Sequence, residues 1–171
     1  GIVAGSKVYD TSTKATVSNA GATFAGMVDG DALNVSAASA NFNDKNAGSG
    51  KAVNVSGLTL GGTDAGNYNL TALTGSGTGT ITQAQIASVS GITAVSKAYD
   101  GSDAASLNAG ATYNGVLGSD SLSFTATKAT FSDQNAGTKT VKVEGILLGG
   151  TDAGNYSLAS NIASGTGAIT P

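Results

Sequence analysis

The chain has 171 residues, a formal net charge of −3, eight Lys, one Glu, and no His, Cys or Arg. Without His or Cys there is no imidazole-assisted nucleophile, thiolate metal site or disulfide. Eight scattered lysines supply no basic patch able to displace phosphate counterions, so nucleic acid is not an expected partner. Charged residues make up only 11%, while Val, Ile and Thr are plentiful, a balance that points to folded β-structure rather than disorder.

Taken in order, the chain repeats itself. Ser6-Lys7-Val8-Tyr9-Asp10 returns as Ser96-Lys97-Ala98-Tyr99-Asp100. Asn46-Ala47-Gly48, preceded by Phe42, returns as Asn135-Ala136-Gly137, preceded by Phe131. Thr63-Asp64-Ala65-Gly66-Asn67-Tyr68 returns unchanged at Thr151–Tyr156. A spacing of about 88 to 90 residues exceeds one solenoid coil and suits one small domain. Two modules are expected, residues 1–83 and 84–171. Gly1–Ala20 aligns with Gly91–Ala109, Gly21–Gly48 with Gly110–Gly137, and Lys51–Thr82 with Lys139–Thr170. The segment Gln83–Ser90 precedes the second copy and has no counterpart ahead of the first. With no Met or leader at Gly1, the chain reads as a piece of a longer array whose first copy lacks its leading strand. Ile86–Val89 is expected to be the first strand of the second copy or a stiff link continuing from Ile81, since it has no run of Gly, Pro or charge.

Each copy reads as strands. Val53 and Val55 share one parity, and Leu58 and Leu60 the other; Val141 and Val143 are followed likewise by Ile146 and Leu148. Gly57 and Gly145 lie at the slip, where a β-bulge is expected. A second slip separates Leu33, Val35 and Ala37 from Ala40 and Phe42, and Leu122, Phe124 and Ala126 from Ala129 and Phe131. Asp29-Gly30-Asp31 and Gly118-Ser119-Asp120 read as hairpin-type turns, and Gly48 and Gly137 as positions suited to positive φ. Gly61-Gly62 and Gly149-Gly150 form a glycine corner, with one helical turn expected over Asp64–Asn67. Gly75–Gly79 resembles a phosphate loop only superficially, since no Lys-Ser/Thr and no helix follow; it reads as a loop entering a strand. No run of about twenty apolar residues is present, so no membrane insertion is expected.

The motifs Lys97-Ala98-Tyr99-Asp100-Gly101, Phe131–Gly137, the strand Val141–Leu148, Gly150–Tyr156 and Gly167–Pro171 resemble the YDG-type repeats and their glycine-rich MBG relatives. These occur in tandem in very long bacterial surface proteins, including filamentous-haemagglutinin-like adhesins. The first copy departs at Tyr9-Asp10-Thr11, where Thr replaces Gly and the turn is expected to be made another way. The resemblance covers almost the whole chain. It implies a secreted, cell-surface location and a stalk or adhesive role, and it supplies no catalytic residues.

Candidate site residues are weighed against structural roles. Tyr9/Tyr99 and Tyr68/Tyr156 suit sugar stacking, but Phe24 aligns with Tyr113 and Phe42 with Phe131, a pairing expected of core rings. Only Phe124 lacks an aromatic partner, Val35 standing in its place. Asp10, Asp64, Asp100 and Asp152 recur in turns, where Asp accepts backbone N–H bonds. Asp29, Asp31 and Asp44 do not all recur: the second copy has Ser119, Asp120 and Asp133. No complete calcium loop of six to eight oxygens is therefore expected. Lys7/Lys97 with Asn67/Asn155 and Asp64/Asp152 have the residue types of a Lys–Asn cross-link. A lysine snorkelling at a sheet edge is the expected reading, and no cross-link is expected. Glu144, replaced by Ser56 in the first copy, builds no carboxylate pair common to both copies. No enzyme activity, cofactor or metal is expected.

The fold expected is all-β: two tandem β-sandwich (Ig-like) modules of six or seven strands in an extended rod, with β-grasp-like modules as the alternative. The function expected is a monomeric structural stalk that projects a binding region from a bacterial surface, its partners being neighbouring repeats. The rival is that each repeat binds a host glycan or protein.

Overall fold

The structure, a computed structural model, describes residues 2–171. The chain divides into two compact units, Gly1–Gln83 and Ala84–Pro171. It is all-β apart from single 3-10 turns at Ala65–Asn67 and Ala153–Asn155, where the sequence pattern places a helical turn.

In the first unit, β1 (Ile2–Ala4), β2 (Lys7–Val8), β3 (Val17–Ser18), β4 (Asn34–Phe42), β5 (Gly48–Gly61) and β6 (Thr74–Thr82) form one sheet in the order β3-β1-β6-β5-β4, with β2 also on β6. Neighbours are antiparallel except that β1 and β2 run parallel to β6. Its buried side chains include Val35, Phe42, Val53, Val55, Leu58 and Ile81, apolar positions that alternate along each stretch of strand.

The second unit has shorter strands. They are β7 (Ala84–Ile86), β8 (Ser88–Ser90), β9 (Ile92–Thr93), β10 (Lys97–Ala98), β11 (Thr112–Asn114) and β12 (Ser123–Thr125), then β13 (Lys128–Phe131), β14 (Gly137–Glu144), β15 (Leu147–Gly149), β16 (Tyr156–Leu158) and β17 (Ile162–Thr170). The main sheet runs β10-β17-β14-β13, with β9 also on β17. Three pairs, β11-β8, β12-β15 and β16-β7, complete the unit. As β1 and β2 do in the first unit, their counterparts β9 and β10 run parallel to the unit's last strand. Six strands in one unit meet the expected six or seven per module. The eleven in the other arise because the counterparts of β4 and β5 are each interrupted and β7, β8, β11 and β16 are added, while β3 has no strand counterpart.

The phase slips are real, but their geometry differs from a bulge. Ala37 pairs with Leu58 and Ser39 with Ser56, so the register is unchanged on either side of Ala38 and Gly57. In the second unit Thr125 pairs with Leu147 and Lys128 with Glu144, again with no extra residue. Both slips in a copy fall at one level, one on each strand, and the two strands change faces together. Gly57 and Gly145 take φ of 65° and 68° at that level. A true bulge lies elsewhere: the register between β5 and β6 shifts between Gly48 and Lys51. β14 and β17 pair without interruption through the equivalent Gly137–Lys139. The extra residue of the first copy at this point is therefore absorbed as the bulge. Gly50, not Gly48, takes the positive φ there, whereas Gly137 takes it in the second copy.

Two further expectations are corrected. Gly75–Gly79 lies within β6 rather than in a loop. Alternate glycines there leave room for what crosses them: a Cβ on Gly79 would come within 2.8 Å of Ala4 and 3.0 Å of the Phe42 ring. Gly167 meets Ala94 and Phe131 in the same way. Ile86–Val89 opens the second unit as expected, but as two strands rather than one. Ala87 breaks it into β7, parallel to β16, and β8, antiparallel to β11.

Candidate functional site

The recurring motif residues form four hydrogen-bonded corners, each present in both units. In the first, Lys7 Nζ donates to Asp10 Oδ1 at 2.7 Å and to the Ser12 carbonyl at 2.8 Å, while Asp10 Oδ1 accepts the Ser12 N–H at 2.9 Å. Lys97 Nζ reaches Asp100 Oδ1 and the Ser102 carbonyl, each at 2.9 Å, and Asp100 accepts the Ser102 N–H. The same amines lie 5.8 Å from the Phe42 and Phe131 ring centroids, so each stem covers a core ring while the head stays polar. Between these groups Thr11 takes φ 67° and Gly101 φ 74°. The Thr-for-Gly departure thus makes the same left-handed turn, not a different one.

In the second corner Tyr68 Oη donates to Asp31 Oδ2 at 2.5 Å and accepts the Val28 N–H at 3.0 Å. Tyr156 Oη bonds Asp120 at 2.7 Å and the Leu117 N–H at 3.0 Å in the same way. In the third, Asp64 and Asp152 each accept a backbone N–H, from Ala32 and Ser121, at 2.8 Å. In the fourth, Asp44 holds Lys51 at 2.6 Å and the Asn46 N–H at 2.8 Å, matched by Asp133 with Lys139 and Asn135. Asp10, Asp64, Asp100 and Asp152 thus accept backbone N–H groups as the sequence reading expects.

Electrostatics follow from these contacts. The Lys97 ammonium, with the Ser102 N–H, holds the Asp100 carboxyl at about 2. Asp10, Asp44 and Asp133 are likewise held below the ordinary range, chiefly by Lys7, Lys51 and Lys139. Lys142, paired at 2.8 Å, does the same for Glu144. The bond to Asp31 pushes the Tyr68 phenol up, because ionising it would place two anions side by side.

The aromatic positions are not all core. Tyr9 and Tyr156 are buried, at 2% and 3% exposure, but Tyr68 is only half-buried and Tyr99 is 52% exposed. The Lys45 amine lies over the Tyr9 ring at 5.8 Å, and the aligned position of the second copy is Gln134. Tyr68 differs from Tyr156 because β7 pairs beside Tyr156, whereas Tyr68 belongs to no strand. The other core expectations hold: Phe42, Val53, Val55 and Leu58, and Phe131, Val141, Val143 and Ile146, are all buried.

The three residue types of a cross-link are engaged separately: Lys97 with Asp100 and Ser102, and Asp152 with Ser121. Asn155 is buried but Asn67 is exposed. Among the described residues no three carboxylates gather as a metal site would require. A shallow cleft recurs where the strands change faces. In the first unit Lys14–Val17 faces Ala37–Asn41 around about 590 Å³. In the second, Leu107 and Asn108 face Phe124–Lys128 around about 390 Å³. Sequence reasoning passed over this cleft because most of its lining is Ala, Ser and Thr, and its few larger residues, Lys14, Val17 and Asn41 in one unit and Leu107, Asn108, Phe124 and Lys128 in the other, form no recurring motif.

Both units are all-β, and their recurrent polar residues serve the turns. The YDG domain family model matches residues 1–75 and 82–163, and the chain belongs to that family. No curated protein and no solved structure matches the chain.

Proposed function

We propose that the chain is a non-enzymatic, load-bearing spacer within a bacterial cell-surface adhesin, its units projecting a binding region from the cell. The observation that carries this reading is that in each unit two short strands from its N-terminal part run parallel to its last strand. Ile2 and Val3 pair with Gly77 and Thr78, and Lys7 and Val8 with Ile81 and Thr82. Ile92 and Thr93 pair with Gly165 and Thr166, and Lys97 and Ala98 with Ile169 and Thr170. Tension on the chain ends draws parallel neighbours in opposite directions along their length. The hydrogen bonds between them are then loaded together in shear rather than peeled apart singly. Each is worth only about 1 kcal/mol net, so their simultaneous loading is what raises the barrier to forced unfolding.

In this reading each unit is a small sandwich-like module closed over one apolar layer. The parallel pairing with the last strand is the feature it shares with the β-grasp alternative. One residue, Gln83, separates β6 from β7. A strand of eight to ten residues spans about 30 Å, so reach grows with copy number. Small-angle scattering from the chain is expected to give an elongated profile; a near-spherical one removes the spacer reading.

Single-molecule stretching tests the mechanism. Each unit is expected to resist well above the force that peels a hairpin. Tyr99→Pro deletes the N–H that donates to the Thr170 carbonyl at 2.8 Å and should weaken the second unit alone. Equal forces before and after the change would overturn the shear mechanism. The recurring cleft favours a second reading, ligand binding by each repeat, for which saturable binding of a glycan, abolished by filling the cleft with Ala38→Trp, is the test.

A further inference from the structure

We infer that the first unit contains a strand-acceptor groove, built to take an extended segment with the side-chain pattern of Ala84–Ser90 joined in cis ahead of Ile2. The second unit displays the occupied form. There β7 pairs in parallel with β16, Ala84 opposite Tyr156 and Ile86 opposite Leu158. Then β8 pairs antiparallel with β11, Val89 opposite Tyr113. The two edges are bridged by a bond from the Ala159 N–H to the Ile86 carbonyl and one from the Ala87 N–H to the Asn114 carbonyl. Ile86 is 0% exposed, and Ala84 and Val89 each 6%. The segment is thus both a hydrogen-bonded strand and a row of core side chains.

The first unit keeps both walls without the segment. Tyr68–Leu70 and Thr23–Ala25, the counterparts of β16 and β11, have no strand assignment. Between them lies a cavity of about 260 Å³ lined by Phe24, Met27, Leu33, Leu60, Tyr68 and Leu70. The polar pins that shape the walls are nevertheless in place, since Tyr68 holds Asp31 and Val28 just as Tyr156 holds Asp120 and Leu117. What differs is cover: Tyr156 and Asn155 are buried, at 3% and 4%, whereas Tyr68 is half-buried and Asn67 exposed.

The occupant follows from the repeat itself. Gly1-Ile2-Val3-Ala4 matches Gly91-Ile92-Thr93-Ala94, so a segment joined ahead of the first reaches the groove along the path that Ala84–Ser90 takes into the second. Main-chain bonds on two edges supply affinity, and alternate apolar side chains supply selectivity, the two components of recognition by strand addition. This inference does not depend on the spacer reading.

The test joins Gln-Ala-Gln-Ile-Ala-Ser-Val-Ser, the sequence of Gln83–Ser90, ahead of residue 1 of the full chain. Amide hydrogen exchange is then read by NMR. Exchange at Tyr68–Leu70 and Thr23–Ala25 is expected to slow on the order of tenfold or more. A second fusion carrying Ile86→Asp within the added segment should exchange at the rate of the parent chain. Unchanged exchange in the first fusion, or equal slowing in both, would overturn the inference.

Discussion

Gly57 stands opposite Ala38 at the level where β4 and β5 change faces. A Cβ on Gly57 would lie 2.6 Å from the Ala38 Cβ, and its φ is 65°. Contact and conformation therefore both demand glycine. Gly57→Ala is expected to destabilise the first unit by about 2 kcal/mol or more, the left-handed backbone alone accounting for about 1–2 kcal/mol. Gly57→Ala combined with Ala38→Gly should recover only the steric share. Denaturant unfolding of the two variants separates the contributions.

Thr11 and Gly101 share one left-handed conformation but differ in its cost, because a β-branched residue is strained at positive φ. Thr11→Gly is expected to stabilise the first unit, and Gly101→Thr to destabilise the second by about 1 kcal/mol. Thermal melts of the two variants check the opposite signs. A loss of stability in Thr11→Gly would show that the Thr side chain makes compensating contacts.

Acid should weaken the protein modestly through its lysine-paired aspartates, which are exposed and screened by solvent. Asp100 is held at about 2 against an ordinary 3.8, so between those values the unfolded chain binds more protons than the folded one. Stability from this pair is complete above about pH 4 and is lost as pH falls toward 2. Asp10, Asp44 and Asp133 contribute in the same direction. Lys97→Met should move the Asp100 titration up toward its ordinary range, but not all the way because the Ser102 N–H and hydroxyl still bond the carboxylate; carboxyl carbon shifts follow it, and part of the stability profile below pH 4 should flatten.

Neither Lys7 nor Lys97 is expected to form a covalent bond with Asn. Each amine is held by an aspartate and a serine in its own turn. The intact mass should equal that of the unmodified chain. A deficit of one ammonia per unit would place a cross-link in each and strengthen the case for mechanical load.

The sequence was read best where the physics is local. Alternation of apolar residues located the strands and the core positions of Phe42, Val53 and Val55, since burying one face requires period two. Aspartates two residues ahead of a backbone donor, as in Asp10 with Ser12 and Asp100 with Ser102, announced their own turns. Repetition marked the two copies without any knowledge of the fold. Pairing across the sheet lay beyond that reach. Whether Gly57 marks a bulge depends on what stands opposite it, and only the β4–β5 register sets Ala38 there. Gly75–Gly79 looks like a loop until Ala4 and the Phe42 ring cross it and leave no space for side chains. Tyr68 and Tyr156 sit in identical hexapeptides, yet one is covered and the other is not, because burial is decided by the strand alongside. A residue's neighbours along the chain specify its conformation, but its exposure depends on segments brought to it from elsewhere, here Ala84–Ile86 beside Tyr156.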